Sequence, residues 1–403
     1  MINLRPIKST YLFLVVLLFF QFTACAQKKT ETKDHSNSST IVTASNRVND
    51  YLQLLSNKKV AVVANQTSVI FQKEGHTHLV DSLLELNVKV SKVFAPEHGF
   101  RGKADAGEMV KDGTDSKTGL PIISLYGKNK KPSKAQLQDV EIILFDIQDV
   151  GARFYTYLST LHYVMEAAAE VKIPVVVLDR PNPNGHYIDG PVLEEKHKSF
   201  VGLHPVPVVY GMTIGEYAQM INGEGWLKNQ IQCDLTVIPL NNYNHDSVYE
   251  LPIKPSPNLP NAKSINLYPS LCFFEGTNVS AGRGTEMQFQ IYGSPYLNET
   301  KFSFTPRPNE GSKYPKHQGK ECFGEDLRNY NQLNKLNLQW LQKAYSQNNT
   351  KGSFFNSFFV KLAGTENLEA QIAKGLTEKE IRKSWAPGLK KFRNIRAKYL
   401  LYE

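Results

Sequence analysis

The sequence predicts an α/β protein with a Rossmann-like, mostly parallel sheet and helices on both faces, followed by a smaller α+β region. Three observations carry this reading. Short apolar runs alternate with helical patterns from Val48 onward, which is how a parallel sheet with crossover helices is written. Residues 140–147, Val-Glu-Ile-Ile-Leu-Phe-Asp-Ile, are almost continuously apolar, as a strand covered on both faces must be. The polar clusters at Asn65, Glu97, 146–153 and 179–184 all fall at the carboxyl ends of predicted strands. Open α/β sheets place their ligands there.

Taken in order, 59–64 is a short buried strand that ends at Asn65-Gln66-Thr67-Ser68, and 78–86 reads as a helix. The strand at 88–94 is stopped by Pro96, which has no ladder donor, and runs into Glu97-His98-Gly99-Phe100-Arg101. A long loop with Glu108, Asp112 and Asp115 leads to a strand at 121–126. After 140–147, a helix is predicted over about 154–171, because Tyr157, Leu158, Leu161, Val164, Met165 and Ala168 recur at spacings of three and four. The strand at 173–178 discharges into Asp179-Arg180-Pro181-Asn182-Pro183-Asn184-Gly185. Thr213-Ile214-Gly215-Glu216 is a capping box that starts a helix to about Asn222, and 235–239 is a further strand.

The texture changes after Leu251. Pro252, Pro255, Pro257 and Pro260 mark a linker or rigid crossing loop. Loop and strand are expected over 273–283 and 285–291, and helices over 336–345, 367–374 and 377–385. The expected division is a Rossmann-like domain at 46–251 and an auxiliary α+β domain at 252–403.

Arg5 and Lys8, the apolar run 11–20 and Phe22-Thr23-Ala24-Cys25 make a secretory signal too short for a durable transmembrane helix. Its terminal cysteine predicts a lipoprotein signal over 1–25, with Cys25 as the lipidated residue; an ordinary signal with an incidental cysteine is the alternative. Residues 26–45 are polar and read as a flexible tether. The expectation is an exported protein held on the membrane by a lipid anchor, on the periplasmic side or at the cell surface. Cys233, Cys272 and Cys322 remain, too few and too scattered for a disulfide framework, and no metal-ligand spacing occurs.

The net charge is +9 over 403 residues. Nine basic residues against three acidic ones lie between Gln371 and Glu403, so much of the excess is C-terminal and fits a solvated helix face. Export argues against nucleic acid as the partner. No GxGxxG or GxxxxGK[ST] loop follows a strand, so neither a nucleotide nor any other cofactor is expected. No GxSxG elbow is present either.

Carboxylates are the strongest candidates for chemistry. Glycosidic cleavage needs one acid to protonate the leaving oxygen and a second group as base or nucleophile. Glu97 leaves the sheet between Pro96 and His98, and Glu275 follows Phe273-Phe274; Asp146, Asp149, Asp179 and Glu108 stand in reserve, with Asp179 equally readable as one half of an ion pair with Arg180. Arg101, Arg153, Arg180 and Arg283 lie in the same loops and suit an acidic substrate. Gln148, Asn182, Asn184 and Asn278 offer amides to sugar hydroxyls and acetamides. Phe100, Tyr155 and Tyr157 are candidates for stacking on a sugar face.

With these residues in view, the chain resembles the NamZ-type exo-β-N-acetylmuramidases, long described as a domain of unknown function. The resemblance rests on Phe94 to Gly102 (Phe-Ala-Pro-Glu-His-Gly-Phe-Arg-Gly), Asp146 to Tyr157 and Asp179 to Gly185. It continues through Tyr210 to Glu216, Pro255 to Asn258, Phe274 to Asn278, Gly282-Arg283-Gly284 and the tail from Ser384 to Tyr402. It implies two domains with a cleft between them and release of terminal N-acetylmuramic acid from the non-reducing ends of peptidoglycan fragments. Glu97 matches the family's catalytic glutamate in its Glu-His-Gly motif, and Glu275 is the choice for the second carboxylate. The implied binding residues are His98, Arg101, Gln148, Asp149, Arg153, Tyr155, Asp179, Arg180, Asn182, Asn278 and Arg283, with Arg101, Arg153 or Arg283 holding the lactyl carboxylate. The alternative is a non-catalytic surface lipoprotein that captures cell-wall sugars or muropeptides.

Overall fold

In the computed structural model, residues 40–101 and 112–402 are described. Cys25, most of the tether and Glu108 lie outside them; the end of the expected tether is packed and not flexible, since Val42 bridges Asn241 and Ala44 and Ser45 are buried. Six short apolar runs build the parallel part of a seven-stranded sheet: β1 (Val60–Ala64), β4 (Val90–Ala95), β6 (Pro121–Ser124), β7 (Ile142–Asp146), β8 (Val175–Leu178) and β9 (Leu235–Ile238). The short strand β5 (Gly113–Thr114) adds antiparallel to β6, giving the order β5-β6-β4-β1-β7-β8-β9. Without that edge strand, the parallel order is the doubly wound Rossmann order, with its reversal between β1 and β7. A small hairpin, β2 (Val69–Phe71) and β3 (His76–His78), lies between β1 and the first crossover helix and was not anticipated.

The strands are buried on both faces, and the alternation is clean. Val60, Val62 and Ala64 of β1 pack with α1 (Val48–Leu55) and α2 (Leu79–Glu85), while Ala61 and Val63 face the other layer. That layer holds α4 (Tyr157–Val171), which follows the single turn α3 (Lys134–Leu137), and α5 (Ile214–Gly223), whose capping box Thr213/Glu216 forms as expected. It also holds the second half of the chain, since Leu271, Phe273, Leu341, Phe359 and Phe392 belong to the same apolar cluster as Phe145 and Val177. Residues 46–251 and 252–403 therefore share one core.

The proline-rich run 252–260 is a crossing loop pinned to the sheet: the hydroxyls of Tyr155 and Tyr157 donate to the Pro255 carbonyl at 2.8 and 3.3 Å. The next element is a helix, α6 (Ala262–Leu271), over a stretch to which the sequence reading assigns no element. Asn261 and Ser264 form its capping box and Pro269 sits in its last turn, where the missing N–H is tolerated at the cost of one bond. A 3₁₀ turn, Cys272–Gly276, follows directly. The strand expected over 285–291 forms later as β10 (Ile291–Ser294), in a three-stranded antiparallel sheet with β11 (Ser303–Phe304) and β12 (Cys322–Asp326). Helices α7 (Gln339–Gln347), α8 (Phe359–Ala363) and α9 (Asn367–Ala373) precede α10 (Glu378–Arg396). Helix α10 runs well past the expected end at Trp385, through Pro387, because Ile381, Trp385, Leu389 and Phe392 keep one face buried.

Candidate active site

Pro96 ends β4 and begins a tight turn through Glu97, closed by the Gly99 amide donating to the Pro96 carbonyl at 3.0 Å. His98, the third residue of that turn, has φ +70°, a conformation glycine adopts freely and histidine only under constraint from its surroundings. The constraint is burial: His98 is 4% exposed. The turn thus aims Glu97 outward while locking its neighbour inward. Thr156, the N-cap of α4, donates to the Glu97 carboxylate at 2.6 Å. Tyr126, just past the end of β6, lines the cleft with it, and burial together with that carboxylate pushes the tyrosine hydroxyl well above its ordinary range.

Glu97, His98, Tyr126, Tyr155 and Thr156 form one wall of a cleft of about 480 Å³. The facing wall comes from the second half of the chain: Asn258, Tyr268, Glu275, Arg283, Phe289 and Phe358. Glu275 rides the 3₁₀ turn after α6 and meets Arg283 at 3.4 Å. Arg283 stands between Gly282 and Gly284, both at φ near +80°. A Cβ on Gly282 would sit 2.6 Å from Ile291, and one on Gly284 2.5 Å from Pro315, so both positions require glycine.

Lys316 fixes the Glu275 segment. Its ammonium donates to the carbonyls of Phe274, Thr277 and Val279 at 2.8, 2.5 and 3.0 Å, and burial lowers its pKa. His317 holds the Asn278 carbonyl at 2.7 Å. Nothing in the proline-, glycine- and lysine-rich stretch 302–318 marked these two residues.

Of the sequence-predicted site residues, the cleft gathers Glu97, His98, Tyr155, Glu275 and Arg283. The others have different partners. Arg101 is bidentate to Asp115 at 3.0 and 2.7 Å and reaches Asp81 at 3.3 Å; the guanidinium pulls Asp115 down to about 2. Arg153 is buried away from the cleft and donates to four carbonyls, those of Pro191, Val206, Leu362 and Ala363, at 2.7–2.8 Å. Arg180 pairs with Asp146 at 2.6 and 2.8 Å and not with Asp179. Asp179 collects Gly215 N, the Thr213 hydroxyl and the Tyr402 hydroxyl at 2.8, 2.7 and 2.5 Å, and burial raises it to about 7.

The amides are occupied too. Gln148 donates to the carbonyls of Asp149 and Pro181, both at 2.7 Å, and Asn182 to that of Met212 at 2.8 Å. Asn184 holds the carbonyls of Val150 and Ile265 at 2.9 and 3.1 Å. Asn278 pairs with Thr350 at 2.9 Å and accepts from Asn348 at 2.9 Å. Phe100 and Tyr157 are core residues, Phe100 packing edge-on to His78 at 4.8 Å.

These polar residues form the scaffold behind the site. At the β1/β7 reversal, Asn65 donates to the Tyr157 hydroxyl at 2.9 Å and Ser68 to the Asp146 carbonyl, so the usual ligand crevice is filled by the protein's own bonds. The open cleft lies outward, at the ends of β4 and β6.

Asp149 accepts from Gly151 N at 2.8 Å and from the Tyr210 hydroxyl, and burial raises its carboxyl from 3.8 to about 6. Its raised folded value favours the protonated form, so its contribution to stability is full below pH 3.8 and is lost as pH rises through 6. Stability is expected to fall more steeply between pH 4 and 6 in the wild type than in Asp149→Asn. Urea midpoints measured across that range test this.

Residues 60–263 match the family model described as exo-beta-N-acetylmuramidase NamZ, N-terminal, and residues 266–402 match its C-terminal counterpart. The chain is 36% identical over 425 residues to a Bacillus subtilis protein, peptidoglycan beta-N-acetylmuramidase NamZ, covering 98% of this chain and 100% of that one. Two crystal structures of DUF1343 family proteins from Bacteroides fragilis superpose on it. One is 44% identical with a TM-score of 0.83, covering 91% of this chain and 99% of its own; the other is 27% identical with a TM-score of 0.75, covering 90% and 99%. The chain belongs to the exo-β-N-acetylmuramidase NamZ family.

Proposed function

We propose that this protein is an exo-acting glycoside hydrolase that releases terminal N-acetylmuramic acid from the non-reducing ends of peptidoglycan fragments, with Glu97 and Glu275 as its working carboxylates. One observation carries the assignment of residues: two glutamates from opposite halves of the chain line the same cleft of about 480 Å³. One carboxyl protonates the leaving glycosidic oxygen, and the other acts as base or nucleophile at the anomeric carbon. Thr156 holds Glu97, while Arg283 and the Lys316 clamp hold Glu275. Tyr155 and Tyr268, edge to face at 5.9 Å, and Phe289 supply the apolar lining of the cleft. Purified residues 26–403 are expected to cleave a chromogenic β-N-acetylmuramide and to leave the β-N-acetylglucosaminide nearly untouched. Equal cleavage of both would refute a muramidase.

If Lys316 positions Glu275, Lys316→Met lowers kcat on the muramide by tenfold or more, with a smaller change in KM, since misplacement by about 1 Å costs on the order of 10²-fold. An unchanged kcat would separate Lys316 from catalysis.

We also propose that Cys25 carries the lipid and the polar residues from 26 to about 40 the tether. The signal-like sequence that ends at Cys25 supports this. Cys25→Ala is expected to lose fatty-acid labelling and to move from the membrane to the soluble fraction; labelling that persists in the variant would refute the anchor.

A further inference from the structure

The cleft contains a cation that neither the sequence motifs nor the catalytic pair accounts for. Lys130 lines it, with its ammonium 4.7 Å from the centroid of the Phe200 ring. We propose that Lys130, seated on Phe200, is the subsite that binds the substrate's carboxylate, and that it makes the cleft select an acidic amino sugar over its neutral counterpart. This rests on the muramidase reading above, under which the terminal sugar carries a lactyl carboxylate.

The argument begins with elimination by geometry. Arg101 and Arg153 lie elsewhere and are committed to carboxylates and carbonyls, and Arg283 is engaged with Glu275 at 3.4 Å and with the Gly311 carbonyl at 3.4 Å. Lys130 has no carboxylate partner among the described residues; its ammonium rests on the aromatic face of Phe200. A cation over a half-buried ring gains on the order of 1 kcal/mol. An incoming carboxylate, which makes a charge-assisted hydrogen bond, therefore competes easily for the ammonium.

The surroundings hold this lysine ready. Asn129 donates to the Ser124 carbonyl at 2.8 Å, and Lys131 is tied to Glu166 and Glu170 at 2.7 Å each. The backbone is thus anchored on both sides of Lys130. Phe200 is stacked on Tyr163 at 6.3 Å and tilted against Tyr126 at 6.0 Å, and Tyr126 lines the cleft together with Glu97. The carboxylate subsite and one catalytic carboxylate therefore line the same cleft, with Tyr126 packed against the ring that carries Lys130. A sugar with its anomeric carbon at Glu97 presents its lactyl arm within the same cleft.

The test is calorimetric binding of N-acetylmuramic acid and of its methyl ester to the wild type, Lys130→Met and Lys130→Arg. Methionine keeps the aliphatic cover over Phe200 and removes only the charge. The acid is expected to bind Lys130→Met about 10- to 100-fold more weakly than wild type, the loss of one hydrogen bond between charged groups. The ester is expected to bind both proteins alike, and Lys130→Arg to keep most of the preference for the acid. Equal affinity of wild type and Lys130→Met for the acid, or a parallel loss for acid and ester, overturns the proposal. So does a wild type that binds neither. Chromogenic muramide turnover is read in parallel: selective acid binding without turnover leaves this subsite standing and removes the hydrolase reading.

Discussion

Glu97→Gln is expected to lower turnover of a β-N-acetylmuramide by about 10²–10⁴-fold, the usual contribution of a positioned acid or base. The substitution keeps the shape of the side chain and an oxygen to accept from the Thr156 hydroxyl, which now sits 2.6 Å from the carboxylate. Only proton transfer and charge are removed. The turn that carries it depends on Pro96, the buried His98 and Gly99, none of which senses the change. Thermal unfolding of the variant should therefore match wild type within a degree or two. A variant that turns over normally removes Glu97 from the mechanism.

Arg153→Met is expected to be the most damaging single substitution for stability, by about 3–5 kcal/mol in urea denaturation. The guanidinium is fully enclosed, and burial brings its pKa down to about 9. No carboxylate among the described residues repays that burial. Instead, four carbonyl oxygens do, two from the segment around Pro191 and Val206 and two from Leu362 and Ala363 at the end of α8. Arg153 thus ties the first half of the chain to the second, behind the wall of the cleft. Removing it strands four buried acceptors, each costing about 1–3 kcal/mol when unpaired, with partial relief from relaxation. Arg153→Lys keeps the charge and three donors without the planar fork, and should lose less. A cost under about 1 kcal/mol for Arg153→Met would show that water replaces the guanidinium at no penalty.

The same arginine shows where sequence reading stops. The motif 146–153 sits at the carboxyl end of β7, so its polar residues look like substrate ligands. Gln148, Asp149 and Arg153 turn inward because the β1/β7 reversal is crossed by loops whose backbone groups need partners. A residue's place at a strand end is legible in sequence, but the direction of its side chain is not. The parallel sheet was readable because runs such as Ile142–Asp146 are apolar on both faces. Glu97 was readable because Pro96 ends its strand in the open. Tyr126 and Lys130 follow β6 by the same rule and were within reach of it. Lys316 was not, since its role depends on three carbonyls some 40 residues earlier in the chain. Helix α6 was obscured by the prolines before it and by Pro269 within it, and the full length of α10 by Pro387. In each case tertiary burial of one face outweighs the local cost of proline.

The most direct measurement is chromatographic analysis of the products formed when purified residues 26–403 are incubated with peptidoglycan fragments bearing N-acetylmuramic acid at their non-reducing ends. Free N-acetylmuramic acid should appear as the first released sugar from the wild type and be absent with Glu97→Gln. Fragments that are bound but returned intact would contradict a hydrolase and identify a capture protein built on the same cleft.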